Sequence, residues 1–262
     1  MANWTVTERD GIAVVTYARP PRNFMTFSAM GELGDRLREL GEREDVSAVV
    51  LTGGVPGYFV AHADLEDLGR LGRGEQVGGD PRAWNRTLKA IEELPQPVVA
   101  AINGQCWGGG CELALACTVR VAAASATLAQ PEVPLGIIPG AGGTQRLPRL
   151  VGPGRAMELI LTGRVLAAEE ALAIGLVEGV LPDDGFLDAA LEWTRRMTAH
   201  PRPALAAAKR AVLESGRVPL AEGLRVEARL FAQCQSDPAT LELQQQALRR
   251  YAETPADTTV LL

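Results

Sequence analysis

The sequence predicts a mixed α/β protein with a helical C-terminal region. Short apolar, β-branched runs at residues 46–52, 98–102 and 176–181 alternate with segments of helical periodicity. A strand–strand–helix order recurs three to four times without sequence self-similarity, which argues for a mixed layer rather than a strictly parallel βαβ protein. From about residue 201 only helical patterning remains. A chain of 262 residues is long enough for one large domain that buries about three quarters of its unfolded surface or for two small ones, and one domain with a helical C-terminal extension is the favoured reading. The expected division is a core over 1–200 and a helical extension over 201–262.

Taken in order, residues 4–7 and 11–16 alternate as a hairpin, and 28–40 place Met30, Leu33, Leu37 and Leu40 at helical spacing. Residues 46–52 form a near-continuous apolar strand and 58–61 a short one, after which Asp64 caps a helix through Leu68. Residues 71–81 are polar and glycine-rich, a loop. A helix over 82–94 leads into the strand 98–102, which Asn103-Gly104 breaks before a helix over 111–117. Helices are expected at 155–162, 167–174 and 186–199, a strand at 176–181, and tail helices at 203–216 and from Leu220 onward.

A net charge of −6 gives no electrostatic reason to expect nucleic acid or an anionic membrane. Residues 1–10 carry two acids and no apolar run, so no secretory signal is visible and a cytoplasmic location is expected. Residues 94–111 are uncharged, but their prolines, glutamines, asparagine and glycines exclude a membrane span. Cys106, Cys111, Cys117 and Cys234 form no CxxC, and His62 and His200 lie far apart, so neither a metal site nor a disulfide scaffold is expected.

The chemistry concentrates in two places. Gly108-Gly109-Gly110 stands where a helix begins, which leaves backbone N–H groups unpaired and lets a ligand oxygen come close. Glu112 follows in the first turn among Cys111, Leu113, Ala114 and Leu115, where poor solvation raises a carboxyl pKa toward acid–base values. Glu132 is the single acid of a proline- and glycine-rich stretch that cannot be a long helix or a central strand. Two carboxylates beside a backbone-exposing turn suit proton movement around a carbonyl. Gly152-Pro153-Gly154 lacks the remaining features of a dinucleotide fingerprint, and no GxSxG marks a serine hydrolase.

The blocks VVLTGG (49–54), YFVAHADL (58–65), PVVAAINGQCWGGGCELALAC (97–117), LAQPEVPLGIIPGAGGTQRLPRLVG (128–152) and LTGRVLAAEEALAIGLVEGVLP (161–182) run in an order that resembles the enoyl-CoA hydratase/isomerase, or crotonase, superfamily. The resemblance implies a crotonase-like spiral of ββα units, a helical region that builds homotrimers or homohexamers, and an acyl-CoA thioester substrate with no separate cofactor. It places the thioester oxygen between the N–H groups of Ala63 and Gly109, an oxyanion hole for a developing enolate. Glu112 would activate water toward C3 and Glu132 exchange a proton with C2, as in the hydratases, whereas isomerases of the family resemble this with only the Glu132 position. Ala61, His62, Asp64, Met25, Trp107 and Gly140 are implied to line the substrate and CoA site. Hydration of an enoyl-CoA in fatty acid metabolism is the leading expectation. Isomerase, hydrolase, lyase or decarboxylase chemistry, and an idle acyl-CoA-binding protein, remain alternatives.

Several positions depart from the family pattern. His62 stands where glycine is common beside an oxyanion donor; facing the pocket it would bind substrate or shift a glutamate's pKa, and facing outward it would be a surface residue. Phe24 and Met25 stand where the family pattern has alanine and leucine and would either reshape the CoA and acyl region or pack the core. Trp107, with Trp84 as a second wall, would narrow the acyl pocket or serve the core. In the tail, Arg249 and Arg250 would contact phosphate or end a solvated helix.

Overall fold

The computed structural model describes residues 3–255. These form two compact units that divide after Arg202.

The first unit opens with a hairpin, β1 (Trp4–Arg9) and β2 (Ile12–Tyr17), paired antiparallel from Trp4↔Tyr17 to Arg9↔Ile12. Its turn is Asp10-Gly11, both at positive φ, the backbone that matches the twist of a tight hairpin. Helix α1 (Phe27–Gly41) follows, capped by the Thr26 hydroxyl, which accepts from the Ala29 N–H. It buries Met30, Leu33, Leu37 and Leu40 on one stripe. Then come β3 (Ala48–Gly53), β4 (Gly57–Val60) and α2 (Leu65–Gly72), whose cap is Asp64, accepting from Glu66 and Asp67 N–H. Helix α3 (Ala83–Glu93) leads to β5 (Val98–Ile102), β6 (Gly104–Trp107) and α4 (Gly109–Ala116). Strands β7 (Val119–Ala123) and β8 (Thr127–Ala129) precede a 3-10 turn at Val133–Leu135, α5 (Gly143–Val151) and α6 (Pro153–Thr162). The unit closes with β9 (Leu166–Ala167), α7 (Ala168–Ala173), β10 (Gly179–Leu181) and α8 (Phe186–Thr198).

The strands segregate by turn. One sheet runs β1-β2-β3-β5-β7-β10 and the other β4-β6-β8-β9. Each of the first three repeats after the hairpin therefore gives its first strand to one sheet and its second to the other, then crosses by helix. That is a spiral of ββα units. Pairing is parallel throughout except β1–β2 and β8–β9. Strand β5 is buried along its whole length, as expected of a central parallel strand covered on both faces.

Two expectations are corrected. Asn103-Gly104 does not end the strand region; Gly104 to Trp107 pair with β4 and β8 as the second sheet's centre. The glycine-rich stretch around Glu132 is not all loop, since β8 lies before it and α5 begins at Gly143, earlier than the periodicity suggests. At Gly104 a small residue is required because the Gly57 backbone stands 2.2 Å from where a Cβ would be, and at Gly143 because the Gln130 and Pro139 side chains stand 2.8 Å away.

The second unit holds the rest of α9 (Arg202–Ser215), then α10 (Leu220–Gln235) and α11 (Pro238–Glu253). Val212, Leu220, Phe231 and Leu248 are all more than 60% exposed. No helix among the described residues is long and apolar enough to cross a membrane.

Candidate active site

The site is built on the start of α4. Gly108 caps the helix with φ 51° and ψ −124°, and every residue of α4 is buried, Glu112 in its first turn included. Gly109 is required by space: a Cβ there would stand 2.6 Å from Cη2 of the Trp84 ring and 3.2 Å from the Ala63 Cβ. Gly109 and Ala63 are thus neighbours. The Gly109 N–H is one of the four that a helix start leaves without an intrahelical acceptor. Across from it the chain crosses Met25, which donates N–H to His62 O at 2.9 Å and accepts from Asp64 N at 2.8 Å, so this bridge passes over the Ala63 amide. Two residues earlier, buried Asn23 ties the chain down, its amide nitrogen donating to Tyr17 O and Phe59 O.

Glu112 is 3% exposed, and its Oε1 accepts two backbone N–H groups, Ala141 at 2.7 Å and Gly143 at 2.8 Å. Burial raises its pKa; those two amides and the Arg146 charge pull it back without cancelling the rise. Arg146 reinforces this turn by donating to Ala141 O at 2.9 Å while pairing with Glu92 at 2.7 Å. Glu132, 8% exposed, is pushed up to about 7, first by burial and then by the negative charge of Glu112. Gln130, 2% exposed, sets its carboxamide 3.2 and 3.3 Å from the two Glu132 oxygens, and the carboxamide orientation that satisfies both side chains has its amide nitrogen donating to them. Its carboxamide also lies against Gly143, one of the donors to Glu112. The two acids therefore lie near enough for the charge of Glu112 to act on Glu132.

The other predicted residues divide. Ala61 is fully buried and contributes backbone, accepting from Trp107 N at 3.2 Å. Asp64 caps α2 and pairs with Arg19 at 2.7 Å, so its carboxylate is spent on structure. Met25 is 1% exposed in the hydrophobic core, and it serves the site through its backbone. Trp107 is half-buried, with Nε1 donating to the Thr127 hydroxyl at 3.1 Å, whereas Trp84 is the ring that lies against Gly109. Gly140 is exposed in the turn before Ala141. His62 is half-buried rather than a surface residue, its ring stacked on Phe24 at 4.4 Å. Arg249 and Arg250 are exposed on α11. Cys106, Cys111 and Cys117 are buried free thiols. Among the described residues no three His, Cys, Asp or Glu side chains converge to hold a metal.

Sequence reasoning missed the amides of Ala141 and Gly143 and the carboxamide of Gln130. The glycines of PGAGG were the available signal for exposed amides. Gln130 had the same signature as Glu132, a polar group in an otherwise apolar segment.

Buried paired carboxylates beside a helix start, set in a two-sheet ββα spiral, define an enzyme of the crotonase superfamily. The chain belongs to the enoyl-CoA hydratase/isomerase family, whose sequence model matches residues 7–257. It is 36% identical over 236 residues to the short-chain-enoyl-CoA hydratase of Clostridium acetobutylicum, covering 88% of this chain and 89% of that one. It is 39% identical over 200 residues to the glyoxysomal fatty acid beta-oxidation multifunctional protein MFP-a of Cucumis sativus, covering 74% of this chain and 27% of that one. The crystal structure of enoyl-CoA hydratase from Bacillus anthracis matches with a TM-score of 0.85 and 37% identity, over 94% of this chain and 96% of that one.

Proposed function

We propose that the protein is an enoyl-CoA hydratase that adds water reversibly, in the syn sense, across the C2–C3 double bond of a 2-enoyl-CoA. The observation that carries this is the presence of two buried acids, Glu112 and Glu132, with two backbone amides opposing the rise at Glu112 and the Glu112 charge adding to it at Glu132. Glu112, gripped by two amides, is the base: it takes a proton from water as the water oxygen bonds to C3. The electron pair of the double bond moves to the thioester oxygen, and the N–H groups of Ala63 and Gly109 stabilise that enolate. Glu132, raised to about 7, holds a proton near neutrality and gives it to C2. The bound product has gained one hydroxyl and one hydrogen, and transfer of the proton on Glu112 to Glu132 resets the pair. Coenzyme A belongs to the substrate, and the scheme uses no other cofactor.

A site holding Glu132 alone would suit double-bond migration; the second acid favours hydration. Incubation with crotonoyl-CoA should abolish the enoyl absorbance as 3-hydroxybutyryl-CoA forms. No turnover across a panel of 2-enoyl-CoA lengths would sink the reading. The uncovered apolar side chains of α9–α11 support a homotrimer or homohexamer, which sedimentation of the same preparation reads. The free cysteines suit a reducing compartment such as the cytoplasm.

A further inference from the structure

We infer that His62, stacked on Phe24, is a positioning residue that aims the Ala63 N–H into the oxyanion hole; this rests on the hydratase reading above. His62 Nδ1 lies 2.6 Å from the carbonyl oxygen of Ala63. A carbonyl oxygen only accepts, so Nδ1 carries the proton and donates. This bond closes a ring through the backbone from residue 62 to residue 63. The ring spans the torsions on either side of the 62–63 peptide, which set the direction of the Ala63 N–H. The same peptide is held from its other side, where His62 O accepts from Met25 N at 2.9 Å. The imidazole plane lies 22° from that of Phe24. The Phe24 carbonyl is fixed by the Tyr17 hydroxyl at 2.7 Å and Arg19 at 3.2 Å.

Space beside the helix start admits this arrangement. The Cβ that Gly108 lacks would stand 3.5 Å from the His62 Cβ and 3.0 Å from Glu132 Oε1, so residue 62 borders the acid as well as the donor. Asp10 and Asn23 are the non-glycine residues at positive φ among those described, and His62 is not one of them. Its backbone is therefore one that any residue adopts. A glycine at this position would leave Ala63 aimed by backbone alone, with more conformational freedom to lose each time substrate binds. Preorganisation of a donor contributes to kcat rather than to ground-state binding, because the charge it meets develops in the transition state.

The test compares His62→Gly, His62→Asn and His62→Gln, since an asparagine amide nitrogen reaches the place of Nδ1 and a glutamine nitrogen the place of Nε2. Two readouts serve: steady-state kinetics with crotonoyl-CoA, and the red shift of bound 4-dimethylaminocinnamoyl-CoA, which reports polarisation of the thioester carbonyl without turnover. His62→Gly should lower kcat about tenfold, with KM within about twofold, and shrink the red shift; small misplacements of catalytic groups have effects of this order or larger. His62→Asn should restore most of both, and His62→Gln should not. Wild-type kcat and red shift in His62→Gly, or equal rescue by Gln and Asn, would overturn the assignment. A wild-type protein that shifts the chromophore but hydrates nothing would remove the hydratase reading while leaving the spectroscopic arm decisive for His62. A wild-type protein that does neither would remove both.

Discussion

Glu112 and Glu132 are the same functional group, both less than 10% exposed, yet the regions that hold them differ. Glu112 rides on a fully buried helix and meets two backbone amides donated by the turn before α5. Glu132 stands at the entrance to a 3-10 turn, where the Gln130 carboxamide is the side chain that meets it. Burial raises both, but at Glu112 amides and a distant guanidinium oppose the rise, while at Glu132 the neighbouring carboxylate adds to it. In the proposed hydration, environment rather than residue type would separate the base from the acid.

The largest effect should come from removing either half of that pair. Glu112→Gln keeps an oxygen for the Ala141 and Gly143 amides but cannot take a proton, and Glu132→Gln cannot give one. Each should lower kcat for crotonoyl-CoA hydration about 10³-fold, the middle of the range for a lost acid or base. If Glu112→Gln kept near-wild-type hydration, the division of labour drawn here would be wrong.

The helix start offers the next largest test. In Gly109→Ala the new methyl would stand 2.6 Å from a buried ring atom of Trp84, so the donor N–H must shift. A loss of about 10² in kcat/KM is expected, the scale of a removed oxyanion donor. A second change, Trp84→Leu, should recover part of it by making room. No loss in Gly109→Ala would separate this glycine from the chemistry.

Much of this contrast was legible in the sequence, though unevenly. Strands β3 and β5 announced themselves as continuous apolar runs, and α1 by its stripe, because burial on a regular element leaves a period. Strand β6 left none: GQCW mixes polar and small residues because it is short and threads between β4 and β8. Both acids were legible as lone charges in uncharged surroundings. Their partners were not, since the amides of Ala141 and Gly143 belong to backbone and carry no residue-type signal. His62 showed the opposite problem. Its identity was visible as a departure, but its half-buried stack on Phe24 depends on a contact across 38 positions that no local pattern encodes.

The mutual charge term can be isolated. The wild-type kcat/KM profile should fall as pH rises past about 7, where Glu132 loses the proton it must donate. In Glu112→Gln the repulsive neighbour is gone, so the Glu132 carboxyl should titrate at lower pH than in the wild type. Infrared difference spectra of the carboxyl band read this without turnover. A midpoint that stays or rises would mean that burial alone sets the Glu132 value.

The smallest effect concerns stability, where the same raised pKa works against the fold. Glu132 titrates at about 7 when folded and near 4.5 when unfolded, so between those values the native state binds more protons. Its contribution is full below about 4.5 and is lost as pH rises through 7. Two and a half units correspond to about 3 kcal/mol, an upper figure because the pocket relaxes around the charge. Glutamine has no proton to lose, so the advantage of Glu132→Gln should grow with pH. Thermal unfolding should place the variant a few degrees above wild type at pH 8 and level with it or below at pH 5. An equal difference at both pH values would show that packing, not charge, governs the change. A variant that is more stable and inactive would show that burial of this carboxylate is kept for its chemistry at the expense of the fold.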